Sequence, residues 1–200
     1  MTNIKLCGLR RLEDIDYVNA VRPDFAGVIL ADPARFHRAV SMEQARAMRE
    51  RLSLEIPLVG VFVNDPMELV EQYLNEGIID MAQLHGGESE EYIRKLQTDC
   101  GKPVIKAFKI QSAADVEKAV RSSADHILLD SGTGSGKTFD WSVVAGIDRP
   151  FLLAGGLNPE NLERAIAQVH PWSVDMSSGT ETDGVKDPEK MKRAVEIAHA

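Results

Sequence analysis

Short runs rich in valine, isoleucine and leucine recur at an almost constant interval along this 200-residue chain, and the interval restricts the fold more than any other feature. The runs are Ile4–Gly8, Phe25–Leu30, Pro57–Val63, Ile79–Leu84, Pro103–Phe108, His126–Asp130, Pro150–Ala154 and Trp172–Met176. They begin about every 24 residues, the length of one strand-plus-helix unit. Each is brief and nearly continuous in apolar residues, as strands are when both faces of a parallel sheet are covered.

The stretches between the runs carry helix signals. Ser41-Met-Glu-Gln places a hydroxyl before a first turn with Glu43 and Gln44 in it. Asn64-Asp65-Pro66 puts proline where a helix can start, and Ser89, Ser112 and Asn158-Pro159 are further N-terminal caps. The last helix is expected to begin near Asp187-Pro188 and run to the end of the chain. No Gly/Ser-rich linker divides the sequence, so residues 1–200 are read as one domain. Alternating strands and helices permit a closed barrel or an open doubly wound sheet. Eight even units favour closure, and the first strand leads into Cys7-Gly8-Leu9-Arg10-Arg11, which lacks the G-x-G-x-x-G turn of a dinucleotide-binding sheet. The expected architecture is α/β, a single (β/α)8 barrel.

Composition narrows the function. A net charge of -8 argues against a general nucleic-acid partner, because neutralising phosphates needs a basic face. Cys7 and Cys100 are far apart and fit neither a disulfide scaffold nor a metal-ligand spacing, so no metal is expected. MTNIKLCGLRR has no apolar signal core and no run reaches the length of a membrane span, which points to a cytoplasmic protein with no membrane partner.

In a (β/α)8 barrel the active site forms where the C-terminal strand ends meet their loops. The polar residues expected there are Cys7 after the first strand, Arg35 and Arg38 after the second, Gln83 and His85 after the fourth and Asp130 after the sixth. Gly155 and Gly156 follow the seventh, and Asp175, Ser177, Ser178 and Gly179 stand at the eighth. Taken alone, Cys7 reads sooner as an inert, buried strand cysteine than as a reactive one, and Asp130 also reads as a helix cap or structural acceptor. Loops after strands seven and eight commonly hold a phosphate through backbone N–H groups, which suits Gly155-Gly156-Leu157 and Ser177-Ser178-Gly179.

Five segments carry a more specific likeness. Lys5-Leu6-Cys7-Gly8, Gln83-Leu84-His85-Gly86, Leu129-Asp130 with Gly134-Ser-Gly-Lys-Thr-Phe-Asp-Trp141, Gly155-Gly-Leu-Asn-Pro-Glu-Asn161 and Val174-Asp-Met-Ser-Ser-Gly179 resemble, in order, the motifs of the phosphoribosylanthranilate isomerases. The resemblance implies a cofactor-independent Amadori rearrangement of a sugar phosphate in tryptophan biosynthesis. It implies Cys7 as general base, helped by Lys5 on the same strand face, with a thiol pKa lowered toward neutrality. Asp130 becomes the general acid, its proton held by desolvation at the end of Ile127-Leu128-Leu129. Gly155, Gly156, Leu157, Ser177, Ser178 and Gly179 would bind the phosphate, Asp175 the sugar, and Gln83 and His85 the pocket wall. Arg38 fits the anthranilate carboxylate best, with Arg35 a competitor. Asp175 also reads as an ion-pair partner of Lys5 inside the barrel. The substrate would be the small molecule phosphoribosylanthranilate, and the protein a monomer or homodimer.

Three rivals stay in view, and one of them, a catalytically silent barrel that binds phosphorylated ligands, is opposed by the intact Cys7 and Asp130 pair. Gly132-Thr-Gly-Ser-Gly-Lys137-Thr138 suggests an ATP-binding loop, but only three residues separate Gly132 from the Gly-Lys pair where four are required. That segment is read as a loop over the active site. The related histidine-pathway isomerase, which uses two aspartates, would want Asp where this chain has Cys7.

Overall fold

The computed structural model describes residues 1–32, 34, 36, 38–130 and 140–200. Arg35 and the Gly132–Thr138 run therefore lie outside the described residues, and with them the competing arginine and the ATP-loop comparison.

Eight parallel strands close on themselves in sequence order: β1 (Asn3–Leu6), β2 (Phe25–Ile29), β3 (Leu58–Phe62), β4 (Met81–Leu84), β5 (Val104–Lys109), β6 (His126–Asp130), β7 (Phe151–Ala154) and β8 (Ser173–Met176). The seam pairs Asn3 with Ser173 and Leu6 with Met176, so the first and last strands complete the cylinder. Alternation along each strand sorts the core into two layers. Val59, Met81, Ile105, Leu128 and Leu152 pack together in an inner cluster. Their neighbours Leu58, Ala82, Val104, Ile127 and Phe151 belong to the outer cluster, against the helices. That division is why the strands read as continuous apolar runs: both faces are dry.

The helices are α1 (Leu12–Val21), α2 (Met42–Arg51), α3 (Met67–Asn75), α4 (Glu90–Cys100), α5 (Ala113–Val120), α6 (Leu162–Val169) and α7 (Pro188–His199). The Ser41 hydroxyl accepts from Gln44 N at 3.2 Å while Gln44 Oε1 accepts from Ser41 N at 2.9 Å, a reciprocal cap. Ser89 accepts from Tyr92 N, and Asp187 accepts from Glu189 N and Lys190 N just ahead of Pro188. Asn158 departs from its expected place. Its Oδ1 accepts from Glu160 N and Asn161 N, stabilising a turn that precedes α6, so the helix begins at Leu162. The sixth unit departs further. Among the described residues its connection holds a 3₁₀ turn over Trp141–Val144, capped by Asp140, in place of an α-helix. Gly146, at φ 82°, and Pro150 follow too soon for more turns.

One element has no counterpart in the sequence reading. After β8 the chain makes a 3₁₀ turn (Ser178–Thr180) and a two-stranded hairpin, β9 (Glu181–Thr182) with β10 (Val185–Lys186). Asp183 and Gly184 turn it, both at positive φ (51° and 75°), which is what a tight hairpin turn of matching twist requires.

Candidate active site

The strand ends and their loops enclose a cavity of about 230 Å³. Every described residue expected at the strand ends borders it: Cys7 and Asp130; Arg38, Gln83 and His85; Gly155, Gly156 and Leu157; and Asp175, Ser177, Ser178 and Gly179. Ile29, Val61 and Ala154 complete the wall and were not anticipated.

On the β1 side, Lys5 is fully buried and donates to Asp175 Oδ1 at 3.0 Å. The ion pair expected inside the barrel is therefore present. A buried cation of this kind survives only when paired. Burial pulls the Lys5 ammonium down, but Asp175 and Cys7 outweigh it and its pKa stands above the ordinary value. Gly27 of β2 makes room for this group. A Cβ there would lie 2.8 Å from Cys7 Sγ and 3.1 Å from Lys5 Nζ. The electrostatics of Cys7 correct one expectation. Burial pushes the thiol up, Asp175 adds to that, and Lys5 and Lys186 only partly oppose them, so the pKa is raised rather than lowered.

Across the cavity three side chains form a line. Gln83 Nε2 is 2.9 Å from His85 Nδ1, and His85 Nε2 is 3.2 Å from Asp130 Oδ2. With the Gln83 amide donating, His85 Nδ1 is the acceptor, which puts the ring proton on Nε2, facing Asp130. Asp130 keeps about a fifth of its side-chain surface, 22 %, in contact with solvent. It is less dry than its apolar strand suggested.

The loops after β7 and β8 meet backbone to backbone. Gly155 and Gly156 are both left-handed (φ 92° and 67°), a conformation glycine alone adopts freely. Asn161 Nδ2 donates to Gly156 O at 2.9 Å and locks the turn. A Cβ on Gly179 would come within 1.9 Å of Leu157 O, so only glycine lets the second loop sit on the first. Arg38 reaches this corner, donating from Nη1 to Ser177 Oγ at 3.0 Å. Beneath it lie two buried charges missed from sequence, Glu181 and Lys186. Their signal was the Asp183-Gly184 pair, which forecasts a hairpin and so an inward-turned residue on each side of it.

No group of three or more His, Cys, Asp or Glu side chains among the described residues is placed to hold a metal ion. No helix among them is long and apolar enough to cross a membrane.

Comparison with known proteins agrees with this geometry. Residues 4–197 match the family model described as N-(5'-phosphoribosyl)anthranilate (PRA) isomerase. An isomerase of that name from Endomicrobium trichonymphae is 41% identical over 202 residues, covering 98% of each chain. Its counterpart in Acetivibrio thermocellus is 43% identical over 207 residues, covering 96% of this chain and 93% of the relative. Among solved structures, phosphoribosyl anthranilate isomerase from Thermotoga maritima superposes with a TM-score of 0.91 at 36% identity, covering 100% of this chain and 99% of that one. A structure of the isomerase in complex with reduced 1-(o-carboxyphenylamino)-1-deoxyribulose 5-phosphate gives 0.88 at 34%, with the same coverage. Mutually generated monomers of the dimeric Thermotoga maritima isomerase give 0.87 at 33%, again covering 100% and 99%. The chain belongs to the N-(5'-phosphoribosyl)anthranilate isomerase family.

Proposed function

We propose that the protein catalyses the Amadori rearrangement of N-(5'-phosphoribosyl)anthranilate to 1-(2-carboxyphenylamino)-1-deoxyribulose 5-phosphate, a step of tryptophan biosynthesis, with Cys7 as general base and Asp130 as general acid. The observation that carries the assignment is that these two residues, one just after β1 and one ending β6, open into one cavity whose rim is the paired glycine turn of the β7 and β8 loops.

Asp130 gives a proton to the furanose ring oxygen as the C1–O bond breaks, and the nitrogen lone pair forms the protonated imine. The Cys7 thiolate then takes the proton from C2, and the electron pair moves through the new C1–C2 double bond to neutralise the iminium nitrogen. The enolamine gains a proton at C1 and loses the C2 hydroxyl proton, leaving the ketone. Atoms and charge balance with no oxidant, and the iminium is the only electron sink the chemistry uses. The raised thiol pKa fits this order of events. A buried thiol stays protonated until a positive charge arrives; the iminium is that charge, and the thiol then gives its proton to water in the open cavity, which returns one to Asp130.

Gly155, Gly156, Leu157, Ser177, Ser178 and Gly179 hold the phosphate through backbone amides and hydroxyls. Arg38 holds the anthranilate carboxylate, Asp175 contacts the sugar while paired to Lys5, and Gln83 and His85 line the pocket and orient Asp130. The protein works in the cytoplasm as a monomer or homodimer on this small anionic substrate, as a single catalytic domain. A histidine-pathway isomerase is not favoured, because Cys7 stands where an aspartate would be wanted. The test is turnover of N-(5'-phosphoribosyl)anthranilate followed by loss of its anthranilate-type fluorescence. Absence of turnover in pure, folded protein would refute the assignment.

A further inference from the structure

The hairpin after β8 places two charges under the site. The side chains of Glu181 and Lys186 are 6 % and 2 % exposed. Lys186 Nζ lies 3.1 Å from Glu181 Oε1 and donates to Ser177 O at 2.8 Å and to Thr180 Oγ1 at 3.2 Å. The second oxygen of Glu181, Oε2, is 3.5 Å from Arg38 Nη2. Arg38 in turn donates from Nη1 to Ser177 Oγ at 3.0 Å. The contacts form a closed ring, Arg38–Glu181–Lys186–Ser177, with the arginine on the pocket wall and the serine in the β8 loop.

The ring is braced from outside. Lys190 Nζ donates to Glu181 O at 2.8 Å and Arg10 Nη2 to Gly184 O at 2.7 Å, fixing the hairpin to α7 and to the β1 loop. Gly8, at φ 74°, packs over it: a Cβ there would sit 2.8 Å from Ser177 Oγ and 3.9 Å from Lys186 Nζ. The charges do not cancel. One carboxylate stands between two cations, so the cluster keeps one positive charge on the pocket side, available to an anion. Burial lowers the Lys186 pKa despite Glu181, as expected of an ammonium held dry by one partner.

We infer that Glu181 and Lys186 are positioning residues that tie Arg38 to the Ser177 loop, so that the carboxylate end and the phosphate end of the substrate are gripped by one rigid unit. The inference rests on the proposed substrate, which carries an anion at each end. A shared brace makes the grips interdependent: Arg38 is held between Glu181 and Ser177, and Glu181 is itself fixed by Lys186 behind it.

The test is a double-mutant cycle with two ligands, the reduced 1-(o-carboxyphenylamino)-1-deoxyribulose 5-phosphate and its phenylamino counterpart lacking the carboxyl. Glu181→Gln should raise KM by about tenfold, within the range of coupling between contacting charges, and change kcat far less. It should remove a similar share of the preference for the carboxylated ligand. In an Arg38→Ala background the same substitution should add almost nothing. Lys186→Met should reproduce both effects, which keeps the idea testable if Glu181→Gln folds poorly. A fall in Tm with KM and ligand preference unchanged would reduce the pair to a structural role and overturn the inference. So would a crystal structure of Glu181→Gln with Arg38 undisplaced. That structure decides the matter even if the wild type turns out not to use the proposed substrate, which is a separate failure read in the turnover assay.

Discussion

Burial and the Lys5 ammonium act on the Cys7 thiol in opposite directions, and burial is the larger. In the free protein Cys7 should therefore be a poor nucleophile. In a Cys100→Ser background, alkylation by iodoacetamide should be slow at neutral pH and rise with a midpoint above that of an ordinary thiol. Lys5→Met should move that midpoint further up. Fast alkylation at neutral pH would mean a standing thiolate and would discard the idea that the substrate cation ionises the base. In turnover, Cys7→Ala should abolish kcat while the reduced product analogue still binds, and Asp130→Asn should lower kcat by at least about a hundredfold, the low end of general acid–base catalysis. Near-normal kcat in either variant moves that role elsewhere. Gly27 is the subtler case. Its missing Cβ is the space Cys7 and Lys5 occupy. Gly27→Ala should cut kcat by about tenfold or more, with a stability loss on the order of 1 kcal/mol typical of mild overpacking. A variant with full kcat would show that the thiol relaxes freely. These residues differ in legibility. Cys7 and Asp130 are singled out by their place at barrel strand ends inside motifs that resemble the isomerase family; as residue types alone, both read as structural. Gly27 is not singled out, since a glycine inside a strand carries no mark of which neighbour needs its space.

At the scale of elements the strands were legible because their environment is uniform: every one is buried on both faces, so composition alone marks it. The helices were legible where a cap announces them, as at Ser41 and Asp187. Boundaries slipped where a cap residue served a turn instead, as at Asn158. The hairpin bearing Glu181 and Lys186 escaped because two-residue strands are too short to show a period, and its Asp183-Gly184 signal stands between the Ser177-Ser178-Gly179 motif and the last helix, where no apolar run draws attention to it. The start of β6 offers an independent prediction. His126 stacks on Trp172 with ring centroids 4.5 Å apart and planes 5° from parallel, closing the barrel floor. Burial depresses its pKa below the ordinary 6.5, with Arg149 acting the same way and Asp125 opposing. A histidine with a depressed folded pKa stabilises above its unfolded pKa, because below that value the unfolded chain binds the extra proton first. Stability from this residue should thus be intact above pH 6.5 and decline as pH falls through the lower folded value. His126→Phe keeps the stacking and removes the titration. Urea midpoints from mildly alkaline to mildly acidic pH should fall less steeply in the variant than in the wild type, and equal slopes would refute the burial argument.

The whole molecule is held shut across its longest sequence separation. β1 pairs with β8, Thr2 N donates to Ala198 O at 2.8 Å, and His199 Nε2 stands 2.9 Å from Asp24 Oδ2, which also accepts from Ile4 N. The outer core runs without a break from Ile4 to Ala198, and α7 buries Met191, Ala194, Val195 and Ala198 against it. No half of the chain contains a closed cylinder, so no half can shelter its strand edges or the inward Lys5–Asp175 pair, whose members come from opposite ends. Residues 1–200 should accordingly unfold as one unit. Two tryptophans make the claim measurable. Trp141 is buried in the turn after β6, with Arg164 of α6 5.2 Å from its ring, while Trp172 lies before β8 on the barrel floor. In single-tryptophan variants, Trp141→Phe and Trp172→Phe, fluorescence should report the same urea midpoint as far-UV circular dichroism. Any loss from the substitutions shifts all probes of a given variant together. A Trp141 transition that precedes the loss of secondary structure would show the β6–α6 region opening by itself, and the single-unit reading would give way to a barrel that melts in sections.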